Sequence, residues 1–203
     1  LSTLFLDTSY NQTIGLLDER GQWLRKRQLT GQRSSSVLHH ELHEMLKEAA
    51  IAPQGIQRVF YVAGPGFYTG LRISHGMADM LRLLGCELMN IYNFEIPAVL
   101  GEQDYVWVTK AYRGEVFIYT SKDKQAKLIS EKDFLAMSWS GEVYIHHKSA
   151  LDQNMLQRLS SSKETEAMLL SNMPQVFSWA KQQSGLRELY YFRPPEEEFK
   201  PSV

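Results

Sequence analysis

One stretch limits the possible folds more than any other: Ala63-Gly64-Pro65-Gly66-Phe67-Tyr68-Thr69-Gly70-Leu71-Arg72-Ile73. The apolar run Val59-Phe60-Tyr61-Val62-Ala63 enters it, and a helix-patterned segment, Leu71 to Leu84, leaves it. Three glycines and a proline between a buried strand and a helix demand a tight turn in which several positions tolerate no side chain. Such a turn presents backbone N–H groups at a helix N-terminus, a geometry suited to an anion or to a closely docked partner. No Gly-Lys-Ser/Thr ending follows, so the turn is not a P-loop. The reading favoured from the residues is a connection that sets the helix angle, with an autonomous nucleotide site second.

The periodicity on either side predicts an α/β chain. Thr3 to Asp7 is an apolar run ending in an acid, Gln12 to Asp18 a second strand, and Gln22 to Leu29 a third, with Asp18-Glu19-Arg20-Gly21 as the hairpin turn. These three predict an antiparallel meander. Leu38, Leu42, Met45, Leu46 and Ala49 then fall at helical spacing, predicting a helix over 36–50. A strand over 58–63, a helix over 70–84 stopped by Gly85, and a strand over 88–92 follow. Residues 93–104 are expected to join two lobes through a short helix. Strands are predicted at 105–110, 115–121 and 142–146, and helices at 131–137, 151–159 and 174–184. Asn172 is read as the N-cap of the last helix, and the charged, proline-rich tail after Arg193 as extended. The expected division is 1–97 for a first lobe and 98–203 for a smaller second lobe that carries the C-terminal helix and tail.

A net charge of −1 gives no whole-surface electrostatic attraction for nucleic acid. The single cysteine, Cys86, excludes an internal disulfide and reads as a small buried hydrophobe in the run Leu83-Leu84-Gly85-Cys86. No apolar run approaches the roughly 18 residues of a membrane span, and no signal-peptide pattern is present. The expectation is a soluble, cytoplasmic protein with no membrane partner.

Asp7-Thr8-Ser9 at the end of the first strand, with Gly15 in the second, is similar to the first hairpin of the actin, sugar kinase and Hsp70 ATPase superfamily. Joined to the strand–turn–helix at 59–73, to Arg113-Gly114-Glu115-Val116-Phe117 and to Leu189-Tyr190-Tyr191-Phe192-Arg193, it makes the chain resemble the TsaB (YeaZ) family, bacterial proteins of tRNA threonylcarbamoyladenosine biosynthesis. The chain departs from the family pattern at Phe67 and Tyr68, where Ser and Phe are usual, at Lys110, where an acid is usual, and at Tyr112, where Arg is common.

The resemblance implies a two-lobed actin-like ATPase fold (ASKHA, RNase H-like) with mixed sheets and a reduced second lobe. It implies a non-catalytic scaffold that binds and activates a TsaD-like catalytic subunit, is joined by a TsaE-like ATPase, meets tRNA only indirectly and forms a homodimer when alone. It implies no cofactor of the chain's own, and nucleotide only at the complex interface. The first-lobe helices build the family's contact, so Leu42, Met45, Leu71, Ser74, Met77, Ala78 and Leu81 are the interface candidates, and Ala78→Trp is expected to abolish complex formation without unfolding. Candidates for phosphate contact at the turn are Asp7, Thr8, Gly64, Gly66, Thr69, Gly70 and Arg72.

The residues weigh against catalysis. An actin-like ATPase needs a second phosphate loop, and its place reads Val108-Thr109-Lys110-Ala111-Tyr112, without the acid or glycine. Asp7 is then expected to act as a local cap on turn N–H groups. His39 and His43 share a helix face, but no third metal ligand is placed by sequence. Two alternatives remain open: a stand-alone small peptidase or nucleotide hydrolase, for which Gly-x-Ser-x-Gly and a local Cys/His pair are missing, and a homodimeric interaction protein that has lost the TsaD contact.

Overall fold

The computed structural model of the chain describes residues 2–29, 35–112, 114–139 and 141–193. Residues 30–34, Arg113 of the second-lobe motif and the residues beyond Arg193, on which the extended-tail expectation falls, lie outside the described residues.

The chain divides into two compact units, residues 1–92 with 173–203, and residues 93–172. In the first, strands β1 (Ser2–Asp7), β2 (Gln12–Leu17) and β3 (Trp23–Leu29) form the expected meander. The Asp18 carboxylate accepts from the N–H groups of Arg20 and Gln22, both at 2.8 Å, and closes the turn between β2 and β3. Helix α1 (Ser35–Glu48) leads to β4 (Ile56–Val62), which pairs parallel to β1, and α2 (Tyr68–Leu83) leads to β5 (Glu87–Ile91), parallel to β4. The sheet order is β3-β2-β1-β4-β5.

Alternation along these strands sorts the core into two faces. Leu4, Leu6, Ile14, Leu16, Val59 and Tyr61 form one core with Leu38 and Met45 of α1 and Met77 and Leu81 of α2. Phe5 and Phe60 alternate with them and form an aromatic chain with Trp23 and with Phe177 of α7 (Met173–Lys181).

The second unit holds α3 (Ile96–Val99), β6 (Tyr105–Lys110), β7 (Glu115–Thr120), β8 (Gln125–Ser130), α4 (Glu131–Ala136), β9 (Glu142–Ile145), α5 (Gln153–Arg158), β10 (Lys163–Glu164) and α6 (Thr165–Ser171). Its sheet order is β10-β9-β6-β7-β8, with β6, β7 and β8 antiparallel and β6, β9 and β10 parallel. Read from its other edge, this is the order of the first sheet, strand for strand. Among the described residues both units therefore carry five strands, and the reduction of the second lies in its helices: α6, the longest described there, has seven residues against sixteen in α2.

The expected boundary at 97/98 falls instead at 92/93, and the C-terminal segment rejoins the first unit. Phe94 stacks on Tyr119 at 4.1 Å, and its carbonyl accepts from the Tyr105 hydroxyl, which ties residue 94 to the second unit. In α7, the buried Met173, Val176, Phe177 and Ala180 cover the Phe60 face of the first sheet. Strand β8 and helix α6 are elements that the periodicity did not predict. Asn172 is the C-cap of α6, where its side-chain amide donates to the Met168 carbonyl, and it also directly precedes Met173, the first residue of α7.

Candidate functional site: the glycine turn and the α2 surface

The turn at 63–70 is packed against the chain's own backbone on two sides. At Gly66 an added Cβ would lie 2.6 Å from the Ser9 carbonyl oxygen, and at Gly70 it would collide with that of Thr8. The Thr8 hydroxyl donates to the Gly70 carbonyl at 2.6 Å, and the Phe67 N–H donates to the Ser9 carbonyl at 3.2 Å. On the other side, Gly64 has a φ of 116° and lies against the Tyr190 carbonyl, with no room for a Cβ. The glycines thus let the β1–β2 hairpin and the segment after α7 approach the start of α2.

That segment is held as a strap. The Tyr190 N–H donates to the Ala63 carbonyl at 2.8 Å, and Tyr191 bridges to Gly66. The buried Asn90 side chain accepts from the Arg187 N–H and donates to the Arg187 carbonyl, at 2.9 and 2.7 Å. Tyr68 lies 4.9 Å from Tyr191, and Phe67 sits 5.9 Å from both Tyr10 and Phe192. Phe67 and Tyr68, where the family pattern carries smaller or less polar residues, are anchors of this aromatic seam. The Leu189–Arg193 motif of the sequence is the strap itself.

Asp7 is buried and its Oδ1 accepts from the Ser9 N–H and the Ser9 hydroxyl, at 2.9 and 2.6 Å. This is the local cap expected of it. Of the phosphate-contact candidates, Asp7, Thr8, Gly64, Gly66 and Gly70 have these intrachain partners or neighbours, while Thr69 and Arg72 are exposed on the first turn of α2. Arg72 lies over the Tyr68 ring.

The corresponding position in the second unit tells the same story with charge. Lys110 ends β6 as Asp7 ends β1, and its ammonium lies 2.8 Å from Asp152 and 3.5 Å from Glu131. Asp152 is the N-cap of α5 and accepts from the Met155 N–H at 3.0 Å. The Lys110 hydrogen bond, followed by that from Met155, holds the Asp152 carboxyl down to about 2. Where a second phosphate loop would offer an acid and open N–H groups, this chain offers a cation neutralised by its own carboxylates.

The interface candidates need a correction. Met45, Leu71, Ser74 and Ala78 are fully buried, Met77 and Leu81 nearly so, and Leu42 packs against the same core. They are the stripe that fastens α1 and α2 to the sheet; each large one contributes roughly 1.5–3 kcal/mol of burial. Ala78→Trp would therefore disrupt the core rather than probe a surface. The surface of α2 is the opposite stripe. Met80 is 47% exposed, Leu83 86% and Leu84 76%, and a Cβ at Gly76 would meet nothing within 4 Å. Asp79 pairs with Arg82 and contacts the His75 ring beside this stripe. Ser74 and Ala78, on the buried stripe, are small enough to let the helix come close to the sheet.

His39 and His43 are exposed on α1, and among the described residues no group of three or more His, Cys, Asp and Glu side chains is placed to hold a metal ion. Cys86 is buried, its thiol donating to the Ile56 carbonyl, and burial raises its pKa, which suits a packing role. Among the described residues no helix is long and apolar enough to cross a membrane.

Comparison with known proteins extends these observations. A crystal structure described as an uncharacterized protein with similarity to peptidase YEAZ from Pseudomonas aeruginosa matches with a TM-score of 0.60 and 19% identity, over 93% of this chain and 99% of that one. YeaZ from Pseudomonas aeruginosa matches with a TM-score of 0.57 and 21% identity, over 89% and 93%. Ethanolamine utilization protein EutJ from Carboxydothermus hydrogenoformans follows at 0.50 and 11%, over 88% and 89%. At these identities the likeness is one of fold, and it agrees with the actin-like α/β architecture expected from the hairpin and turn. No curated protein sequence matches. The model of the family TsaD, tRNA N6-adenosine threonylcarbamoyltransferase, matches residues 28–178, most of both units. The chain belongs to the TsaD family, and its fold is that of the YeaZ (TsaB) proteins.

Proposed function

We propose that this chain is a non-catalytic subunit of a cytoplasmic tRNA threonylcarbamoyltransferase complex. It binds a TsaD-like catalytic subunit through the outer face of α2, and a TsaE-like ATPase joins the pair. When alone it pairs with a second copy through the same face, and it meets tRNA only through its partner. It holds no nucleotide on its own; nucleotide binds only where the subunits meet.

The observation that carries this reading is the exposed apolar stripe Met80, Leu83 and Leu84 beside the open Gly76. Large apolar groups in such a contiguous exposed patch mark interaction surfaces, and a glycine with nothing above it lets a second backbone come close. The packed turn and the neutralised Lys110 support a scaffold over an ATPase, because both places where phosphates would be held are filled by the chain itself.

Size-exclusion chromatography with light scattering, on the chain alone and mixed with a TsaD-like protein of the same organism, tests it. A mixed species should appear as the homodimer disappears. Gly76→Trp and Leu83→Asp, both on the outer face, should abolish both species while leaving the melting temperature within a few degrees. Complexes that survive both substitutions would refute the assignment.

A further inference from the structure

In the second unit the inner face of the sheet is covered where Val108, Val116 and Ile145 meet Phe134 and Met155. Toward the β7–β8 turn that cover stops, and a cavity of about 510 Å³ opens, floored by Val106 and Ile118 and walled by Met137 and Trp139. The volume lies in the range of small-molecule sites, which are largely apolar with a few placed polar groups.

Lys127 is the placed group. It pairs directly with Ile118 in the β7–β8 register, and directly paired residues point to the same face of a sheet. Ile118 is 1% exposed, and Ile129, two residues beyond Lys127 on that face, packs into the core. A lysine therefore stands where the strand pattern calls for an apolar residue. Its stem can cover the floor while its ammonium reaches the mouth. No acidic side chain among the described residues pairs with it. Lys122 and Asp123 of the β7–β8 turn and Asp104 before β6 also line the mouth, so the turns supply one cation and two carboxylates, and Lys127 is the charged side chain that the lining takes from a strand.

We infer that this cavity binds a small amphipathic anion, with an apolar aromatic body on Val106, Ile118 and Trp139 and a carboxylate, sulfonate or phosphate at Lys127. The site is separate from the α2 face and stands whether or not the subunit assignment does.

Titration of the full chain with anilinonaphthalene sulfonate, followed by amide-resolved NMR, tests the site. Saturable binding is expected, with the largest shifts at Val106, Ile118 and Lys127. Lys127→Glu should weaken it by about tenfold or more, and Lys127→Arg should hold it within roughly threefold. Lys132→Glu, exposed on α4 outside the cavity, should change nothing. The inference is overturned if the probe shifts Met80, Leu83 and Leu84 instead, if Lys127→Glu leaves affinity unchanged, or if an aromatic cation of similar size binds equally well.

Discussion

A methyl group at Gly70 would be driven into the Thr8 carbonyl, a backbone atom that cannot rotate away. Gly70→Ala should therefore cost about 1–3 kcal/mol, as overpacking does, whereas Gly76→Ala, facing open space, should be neutral or stabilising by up to roughly 1 kcal/mol. Urea titrations of the two variants read the difference directly. Titratable residues make a second residue-scale prediction. Burial holds the His146 imidazole at about 3. The unfolded chain takes up that proton below about pH 6.5 and the folded unit does not, so stability falls as the pH drops through this window. Asp152, held at about 2, acts lower down. Its contribution is complete above about pH 4 and is lost as the pH falls through its folded value. His146→Leu should flatten the urea-midpoint profile between pH 6.5 and pH 4. Asp152→Asn, which keeps an N-cap side chain, should flatten it only below about pH 4. The Gly-rich turn, the Asp7 cap and the buried cysteine were legible from residue type and neighbours. The partners of the glycines were not, because Tyr190 lies far along the chain from Gly64.

Elements were legible where a period was long enough to be unambiguous. Both long helices and the first meander follow from spacing, and Ser130 caps the predicted α4, accepting from the Asp133 N–H at 3.1 Å. β8 was hidden because Lys127 interrupts its inner face, and α6 because seven residues complete only two turns. The two faces of α2 were exchanged for a physical reason: a helix with apolar residues on both sides does not announce which side meets the sheet. Paired substitutions read the assignment at the level of the element. Ala78→Trp should lower the melting temperature by several degrees, and Gly76→Trp should leave it nearly unchanged, as measured by circular dichroism. The strap is fastened at its start by the Asn90 side chain. Asn90→Ala removes both side-chain bonds to Arg187 and the one to the Tyr61 hydroxyl, and should cost about 1–3 kcal/mol. It should also make the segment after α7 the first site cut in limited proteolysis.

At the scale of the whole molecule, the two sheets share one strand order, yet the chain completes them differently. The second unit is continuous from 93 to 172, whereas the first is closed only when 173–193 returns to it. Sequence pattern alone could not show this duplication, because the repeat lies in topology: Asp7 and Lys110 end equivalent strands with opposite charge. The discontinuity has a consequence that fragments can measure. Residues 1–92 without α7 would uncover Phe60, which is fully buried in the intact chain and meets Phe177 of α7, along with the Asn90 groups that bind the strap. Losing the burial of Phe60 and of Phe177 against it forfeits roughly 3–6 kcal/mol, a large share of the 5–15 kcal/mol that usually holds a domain together. A fragment ending at residue 92 should therefore show broad, poorly dispersed NMR spectra, and adding a peptide spanning 173–193 should restore dispersion. The fragment 93–172 keeps its sheet, its Phe134-centred core and the Lys110–Asp152 pair, and should fold without help. A well-dispersed spectrum from 1–92 alone would mean that α7 decorates the first unit rather than completing it.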